Sequence, residues 1–285
     1  MPNEHTPLAD LHIHSTYTDG SYTPPEIVEL AKKASLSAIA ITDHDNINAY
    51  HEAKEPAAKA GIKLITGIEM SVNFRGGKIH MLGLGFDIDS PKFLADYKRF
   101  RQPKEACIKN MMDYLKSIDF KLTFDDLKPY TKNDTIDRYT FFRYFTDHKI
   151  CAKPQQIWDE YLNPGIKGIN INIEAPEAIK IIHDAGGKTS LAHFHKSLGL
   201  KRFNDREKEE CLLELKSLGL DALEAEYPDF TAKDHEFINQ MAEKHGFQKT
   251  GGTDFHGANR PQVKLGSGEN GNVAVPLAWA ENILR

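Results

Sequence analysis

Residues 9–45 read ADLHIHSTYTDGSYTPPEIVELAKKASLSAIAITDHD. The stretch opens on a short apolar run, 9–14, and closes on a second, 37–42, with an amphipathic segment, 26–34, between them. Thr23-Pro24-Pro25-Glu26 leads into that segment as a capping-box pattern, with prolines where a first helical turn tolerates them. A strand, a helix and a strand in this order predict parallel β-structure with the helix packed outside. Both runs end in polar chemistry: Asp10, His12 and His14 in the first, Asp43, His44 and Asp45 after the second. Side chains two apart in a strand share a face, so His12 and His14 point together.

The same alternation continues outward. Further apolar runs lie at 63–67, 78–85, 188–193, 222–227 and 247–251, with helical patterns at 175–185, 205–218 and 231–245. Residues 70–87 read as a hairpin turning at Gly76-Gly77. Residues 91–168 have no strand pattern and several helical ones, including 91–118 and 138–148, which predicts a helical insertion lobe. The expected fold class is α/β, with the C-terminal strand ends gathered at one face, where function usually lies.

The histidines concentrate at those ends. Beyond the first two runs come Gly67-Ile68-Glu69, Lys78-Ile79-His80, Ala192-His193-Phe194-His195 and Gly252-Thr253-Asp254-Phe255-His256. One such tripeptide is weak as a signal, because an isolated strand histidine is usually a core or surface residue. Repetition after most of the runs points to a metal site. Imidazole with carboxylate and no thiolate suits Mn, Fe or Zn. A single catalytic zinc needs three protein ligands. The larger set here predicts two or three divalent ions and hydrolytic chemistry. His5, His51, His148, His183, His235 and His245 fall in helices, loops or the tail and are read as ordinary residues.

Composition narrows the partners. The chain has 285 residues, 40% hydrophobic and 27% charged, and a formal net charge of -5. That describes a globular protein and argues against one that wraps long nucleic acid. No run approaches the roughly 18 apolar residues of a membrane span, and the first residues lack a secretory-signal pattern, so no membrane partner is expected. Cys107, Cys151 and Cys211 are far apart with no CxxC pair, which fits a reducing cytoplasm.

The ordered motifs DLHIHSTYTDGS, AITDHD, GIE, KIHMLGLGFD, AH and TDFHG resemble the PHP (polymerase and histidinol phosphatase) family, over roughly residues 8–90 and 175–270. The likeness is greatest to its stand-alone phosphoesterases. The resemblance implies a distorted seven-stranded (β/α)7 barrel, formed by residues 1–90 and 169–285, with 91–168 as the insertion. It implies a trinuclear site: His12, His14, Glu69 and Asp254 on one ion, Glu69 and His80 on a second, and Asp19, His44, His193 and His256 on a third. Glu69 and Asp254 would be the catalytic carboxylates, and a hydroxide shared by two ions would attack phosphorus.

Two departures stand out. Relatives often carry RPH or RTH at the start of an insertion helix, whereas here Arg138-Tyr139-Thr140 puts Thr140 at the histidine position, with His148 as a substitute. Relatives also often follow the late-strand histidine with Pro-Gly-Arg-Tyr, whereas here the run is His193-Phe194-His195-Lys196. The phosphate contact would then pass to Lys196, Arg138, Arg143 or Arg202, and His195 would be the proton donor. The expected substrate is a small phosphomonoester, for example a nucleotide such as a 3′,5′-bisphosphate. Alternatives in the same family are a cyclic phosphodiesterase and a short-oligonucleotide exonuclease. Alternatives outside it are an amidohydrolase-type deaminase and a non-catalytic metal-binding regulatory domain.

Overall fold

The computed structural model describes residues 7–132 and 136–285, so His5 lies outside the described residues. Among them, ten strands are formed: β1 (Leu8–Ile13), β2 (Leu36–Ile41), β3 (Lys63–Ile65), β4 (Gly67–Phe74), β5 (Gly77–Leu84), β6 (Ile173–Glu174), β7 (Lys188–Leu191), β8 (Ala222–Glu226), β9 (Gln248–Gly251) and β10 (Val275–Pro276). The helices are α1 (Pro24–Lys33), α2 (Ala49–Ala60), α3 (Pro91–Ala106), α4 (Ile108–Ser117), α5 (Phe124–Leu127), α6 (Arg138–Asp147), α7 (Pro154–Gln156), α8 (Ala175–Asp184), α9 (Asp205–Ser217), α10 (Ala232–His245) and α11 (Leu277–Ile283).

Local signals account for most boundaries. The Thr23 amide donates to Glu26 Oε2 at 2.8 Å, so the α1 cap forms as its sequence predicts. α10 stops where Gly246 takes φ +66°, a left-handed cap that costs glycine little. The hairpin of β4 and β5 pairs Phe74 with Gly77. Its turn residues are therefore Arg75 and Gly76, at φ +47° and +72°, one position earlier than expected.

The strands form two sheets, β10-β1-β2-β3 and β6-β4-β5-β7-β8-β9. Parallel ladders join β1 to β2, β2 to β3, β4 to β6, β7 to β8 and β8 to β9. The hairpin strand β5 pairs antiparallel with both β4 and β7. The fold is thus α/β with parallel-rich sheets, and the expected closed seven-stranded ladder is not seen among the described residues. The sheets meet instead through short bridges at two seams. At one, the His14 amide donates to the Phe255 carbonyl at 2.9 Å. At the other, the Asp45 amide donates to the Glu69 carbonyl at 2.8 Å. Both seams fall where the chain leaves strand geometry to present polar side chains, so a continuous ladder gives way there.

α3 packs Phe93 and Phe100 into the main core, with the Phe93 ring 4.6 Å from that of Phe86. A separate apolar cluster begins at Cys107 and holds Met111, Leu115, Phe141, Phe145 and Leu162. Residues 111 and 115 are four apart on α4, as 141 and 145 are on α6, so each helix lays one stripe into this cluster. No described helix is long and apolar enough to cross a membrane, and the three cysteines are free.

Candidate metal centre

β1 ends with His12 and His14 on one face, their ring centroids 5.2 Å apart, while Leu11 and Ile13 point into the cores. Glu69 enters from the start of β4 and is fully buried. Its Oε2 lies 3.3 Å from His12 Nε2, 3.2 Å from His14 Nε2 and 3.0 Å from His44 Nδ1. Its Oε1 lies 2.9 Å from both His80 Nδ1 and His193 Nε2. One carboxylate thus sits among five imidazoles contributed by four different segments.

Two more carboxylates complete the group. Asp254 Oδ1 lies 3.1 Å from His14 Nε2 and 3.5 Å from His12 Nε2. Asp19 Oδ1 lies 3.4 Å from His256 Nε2, and its Oδ2 lies 3.7 Å from His44 Nε2. Three sets have ligand atoms within 4.8 Å of one another: His12, His14, Glu69 and Asp254; His14, Asp19, His44 and His256; and His44, Glu69 and His80. His193 joins the side of the cluster where His80 and Glu69 meet, whereas the resemblance had grouped it with Asp19, His44 and His256. The reason is backbone shape. β7 ends at Leu191, and His193 takes φ +26°, which turns the ring toward Glu69. Asp254 is likewise left-handed, at φ +50°. Such conformations cost energy in non-glycine residues and persist where the surroundings demand them.

The donor set fits cations. His12 Nε2, both ring nitrogens of His14, His44 Nδ1, Asp19 Oδ1 and Glu69 Oε2 are buried without a hydrogen-bond partner. Leaving so many polar atoms unsatisfied is unfavourable unless another species satisfies them. Burial opposes charge on His14, but Asp254 and Glu69 outweigh it and draw its pKa up to about 10. On His193 the same burial effect outweighs the pull of Glu69, and its pKa falls to about 3. Burial also disfavours the Glu69 carboxylate, yet His44, His80 and His12 hold it well below the usual range. Anionic carboxylates among buried imidazoles are what Mn, Fe or Zn would meet. A cavity of about 800 Å³ opens from the cluster, lined there by Asp19, His44 and His80 and on the lobe side by Arg138, Tyr139 and Trp158.

A family model described as the PHP domain matches residues 10–157. The chain belongs to the PHP domain family. It is 31% identical to a 5′-3′ exoribonuclease of Haemophilus influenzae, with 87% of this chain and 89% of that one covered. It is 28% identical to a 3′,5′-nucleoside bisphosphate phosphatase of Chromobacterium violaceum, covering 87% of this chain and 86% of that one. Among solved structures, one from Bifidobacterium adolescentis, provisionally named a metal-dependent phosphoesterase, superposes with a TM-score of 0.81 at 26% identity, covering 97% and 95% of the two chains.

The basic residues around this PHP cluster divide into two kinds. Lys196 stands at its edge, with Nζ 3.7 Å from Asp254 Oδ2 and 3.2 Å from Asp229 Oδ2. Arg138 lines the cavity, its guanidinium 5.0 Å from the Trp158 ring. Arg143 does not line the cavity; its Nη1 is held at 3.3 Å by each of the carbonyls of Thr16, Tyr17 and Thr18. It fastens the loop that carries Asp19. Arg202 donates to the Phe74 carbonyl at 2.8 Å, beside the hairpin turn and outside the cavity lining.

The other expected roles shift as well. His195 packs its ring against Tyr227 and Phe230. Burial, then the nearby Lys196 charge, bring its pKa down to about 4, which disfavours the imidazolium that a proton donor needs near neutral pH. Thr140 is buried in the α6 cap, where its amide donates to Asp137 Oδ1 at 2.8 Å and its hydroxyl lies 3.0 Å from that oxygen. His148 does not take its place, since its ring stacks on Tyr144 at 4.1 Å. His193 instead supplies a second imidazole beside His80.

The positioning roles of several residues around this PHP cluster escaped sequence reasoning. Glu224 Oε1 lies 2.9 Å from His12 Nδ1, and its Oε2 accepts from the His193 amide at 2.6 Å. A carboxylate behind a histidine ligand fixes the tautomer and ring orientation. Asp43 accepts from the Ser15 amide at 2.8 Å and holds the start of the Asp19 loop. Arg260 and Tyr227 both donate to Asp254 Oδ2, at 3.0 and 2.5 Å. The available signals were a charged residue inside the apolar run of β8 for Glu224 and proximity to the TDFHG motif for Arg260. At Gly252 a side chain would collide with the Cβ and backbone nitrogen of His12, so glycine permits the close approach of β9's end to β1.

Proposed function

We propose that this PHP-domain protein is a metal-dependent phosphoesterase acting on a small phosphorylated substrate, with a nucleotide as the favoured class. The observation that carries this reading is the ring of five imidazoles around the buried Glu69, opening onto a cavity with cationic and aromatic walls. His12, His14, Glu69 and Asp254 would hold one divalent cation, Glu69, His80 and His193 a second, and Asp19, His44 and His256 a third. Bound cations of this kind lower the pKa of water toward roughly 7 and take up charge on phosphoryl oxygens.

The chain's own residues do the rest. Glu69 keeps its charge and both oxygens directed at the histidines, joining two sides of the cluster. Asp254 presents Oδ1 inward while Arg260 and Tyr227 hold Oδ2. Lys196 reaches the cluster's edge, where it can neutralise a phosphoryl oxygen. Tyr139 stacks flat on His44, with ring planes 9° apart, and meets Trp158 edge-on at 5.3 Å. These rings give a nucleobase a surface to rest against and exclude water from one side.

We read the two sheets, bridged at both seams, as a distorted (β/α)7 barrel made of the described residues within 1–90 and 169–285, with those within 91–168 as a lobe over its metal face. The free cysteines support a reducing compartment such as the cytoplasm. A second reading, trimming of short oligonucleotides, draws support from the 31% identity to the Haemophilus influenzae exoribonuclease and from the aromatic wall. The test is hydrolysis of nucleoside bisphosphates, cyclic phosphates, sugar phosphates and short 5′-phosphorylated RNA, read as free phosphate for the monoesters and as the ring-opened or shortened product for the diesters, with metal content measured on the same sample. Hydrolysis of amides with no cleavage of any phosphate ester would overturn the reading.

A further inference from the structure

The face of β5 that carries His80 also carries Lys78, two residues away and about 7 Å along the strand. His80 turns into the metal cluster, and Lys78 lines the same cavity beside it. Among the described residues no carboxylate pairs with Lys78, and Lys104, its cationic neighbour, is occupied by Asp45 at 3.4 Å and the Ile171 carbonyl at 2.9 Å. Arg138 lines the same cavity. Its Nη2 donates to Asn163 Oδ1 at 2.9 Å, while its Nε is buried without a partner. Arg138 and Lys104 stand close enough to Lys78 to repel its charge. Lys78 and Arg138 therefore share a cavity that Lys167 and Asp159 also line, with no anion paired with Lys78 among the described residues, next to the cluster but separate from it.

We propose that Lys78 and Arg138 form an anion subsite that receives a second phosphate of the substrate while the scissile phosphate meets the metal cluster. The proposal rests on the phosphoesterase reading and sharpens it. A substrate with two phosphates would span from the cluster to Lys78, its base against Tyr139 and Trp158. The second phosphate has two sources with the same chemistry: a terminal phosphate of a nucleoside bisphosphate, or the next phosphodiester of a short oligonucleotide. Arg138 offers a planar fork for either, and Lys78 a mobile point charge.

The experiment compares adenosine 3′,5′-bisphosphate, the adenosine 3′- and 5′-monophosphates and a 5′-phosphorylated diadenylate as substrates of wild type, Lys78→Met, Lys78→Arg and Arg138→Met. The ratio of kcat/KM for the two-phosphate substrates over the monophosphates should fall about tenfold or more in Lys78→Met and Arg138→Met, and recover in Lys78→Arg. The preferred two-phosphate substrate identifies the source. A ratio within about twofold of wild type in both Met variants overturns the subsite. Calorimetric binding of adenosine 3′,5′-bisphosphate to chelator-stripped protein needs no turnover and should weaken about tenfold in Lys78→Met. Equal or absent binding in the two proteins also overturns it. A wild type that hydrolyses no phosphate ester sinks the phosphoesterase reading, and the binding measurement still decides the subsite. Thermal melting of each variant checks that the fold is kept.

Discussion

Arg260 Nη1 donates to Asp254 Oδ2 at 3.0 Å, the oxygen opposite the one that faces His12 and His14. The same guanidinium is anchored by Asp229 Oδ1 at 2.7 Å. Asp254 is thereby held in one orientation, with Oδ1 committed to the histidines. Arg260→Met should weaken metal binding about 10- to 100-fold, the usual cost of losing a partner behind a ligand. Metal titration by calorimetry checks this. Tyr227→Phe should act in the same direction, and an unchanged affinity in both variants would show that Asp254 needs no outer support.

Glu69→Gln removes the charge on which both sides of the cluster converge. Bound metal, read by elemental analysis, and phosphate release should fall together, with kcat/KM down about 10²-fold or more. Full activity in this variant would refute a joining role for Glu69.

Arg143→Met tests whether that guanidinium serves the fold rather than the substrate. It gives up charge-assisted bonds to the Thr16, Tyr17, Thr18 and Tyr130 carbonyls. About 2 kcal/mol of stability should be lost, seen as a melting temperature lower by several degrees. KM should change less than in Arg138→Met. The reverse order in KM would return Arg143 to the substrate site.

Asp221 links β7 to β8 away from the cluster. It accepts from the Thr189 amide at 2.8 Å and lies 2.7 Å from His183 Nε2. Burial favours its neutral form, but those bonds and Lys188 outweigh burial and hold the carboxyl below its usual range. A carboxyl depressed in the folded state stabilises it above the unfolded pKa of about 3.9, and that gain vanishes as pH falls through the folded value. Asp221→Asn should therefore cost about 1–2 kcal/mol near neutral pH. The melting-temperature gap to wild type should shrink below about pH 4. A gap independent of pH would mean that packing, not charge, is lost.

Much of the site was legible from sequence because a strand's period is local. His12 and His14 had to share a face, and so did the alternating elements that return each motif to one rim. The expected helices 175–185, 205–218 and 231–245 lie within a residue of α8, α9 and α10, since caps and glycines mark their ends. Legibility ended where the chain left regular geometry. The partner of His193 depends on φ +26° at that residue. The Thr16, Tyr17 and Thr18 carbonyls that hold Arg143 lie 125–127 residues away in sequence.

The alternation of strands with helices, the polar residues at the strand ends and the absence of a thiolate set follow from the amino-acid sequence alone, because each depends on side-chain period and residue chemistry. Tertiary structure alone decided which imidazoles share Glu69, that Glu224 and Arg260 stand behind His12 and Asp254, and that the sheets meet through bridges rather than one closed ladder. Those outcomes depend on register between distant strands and on a few left-handed residues, and neither leaves a local periodic trace.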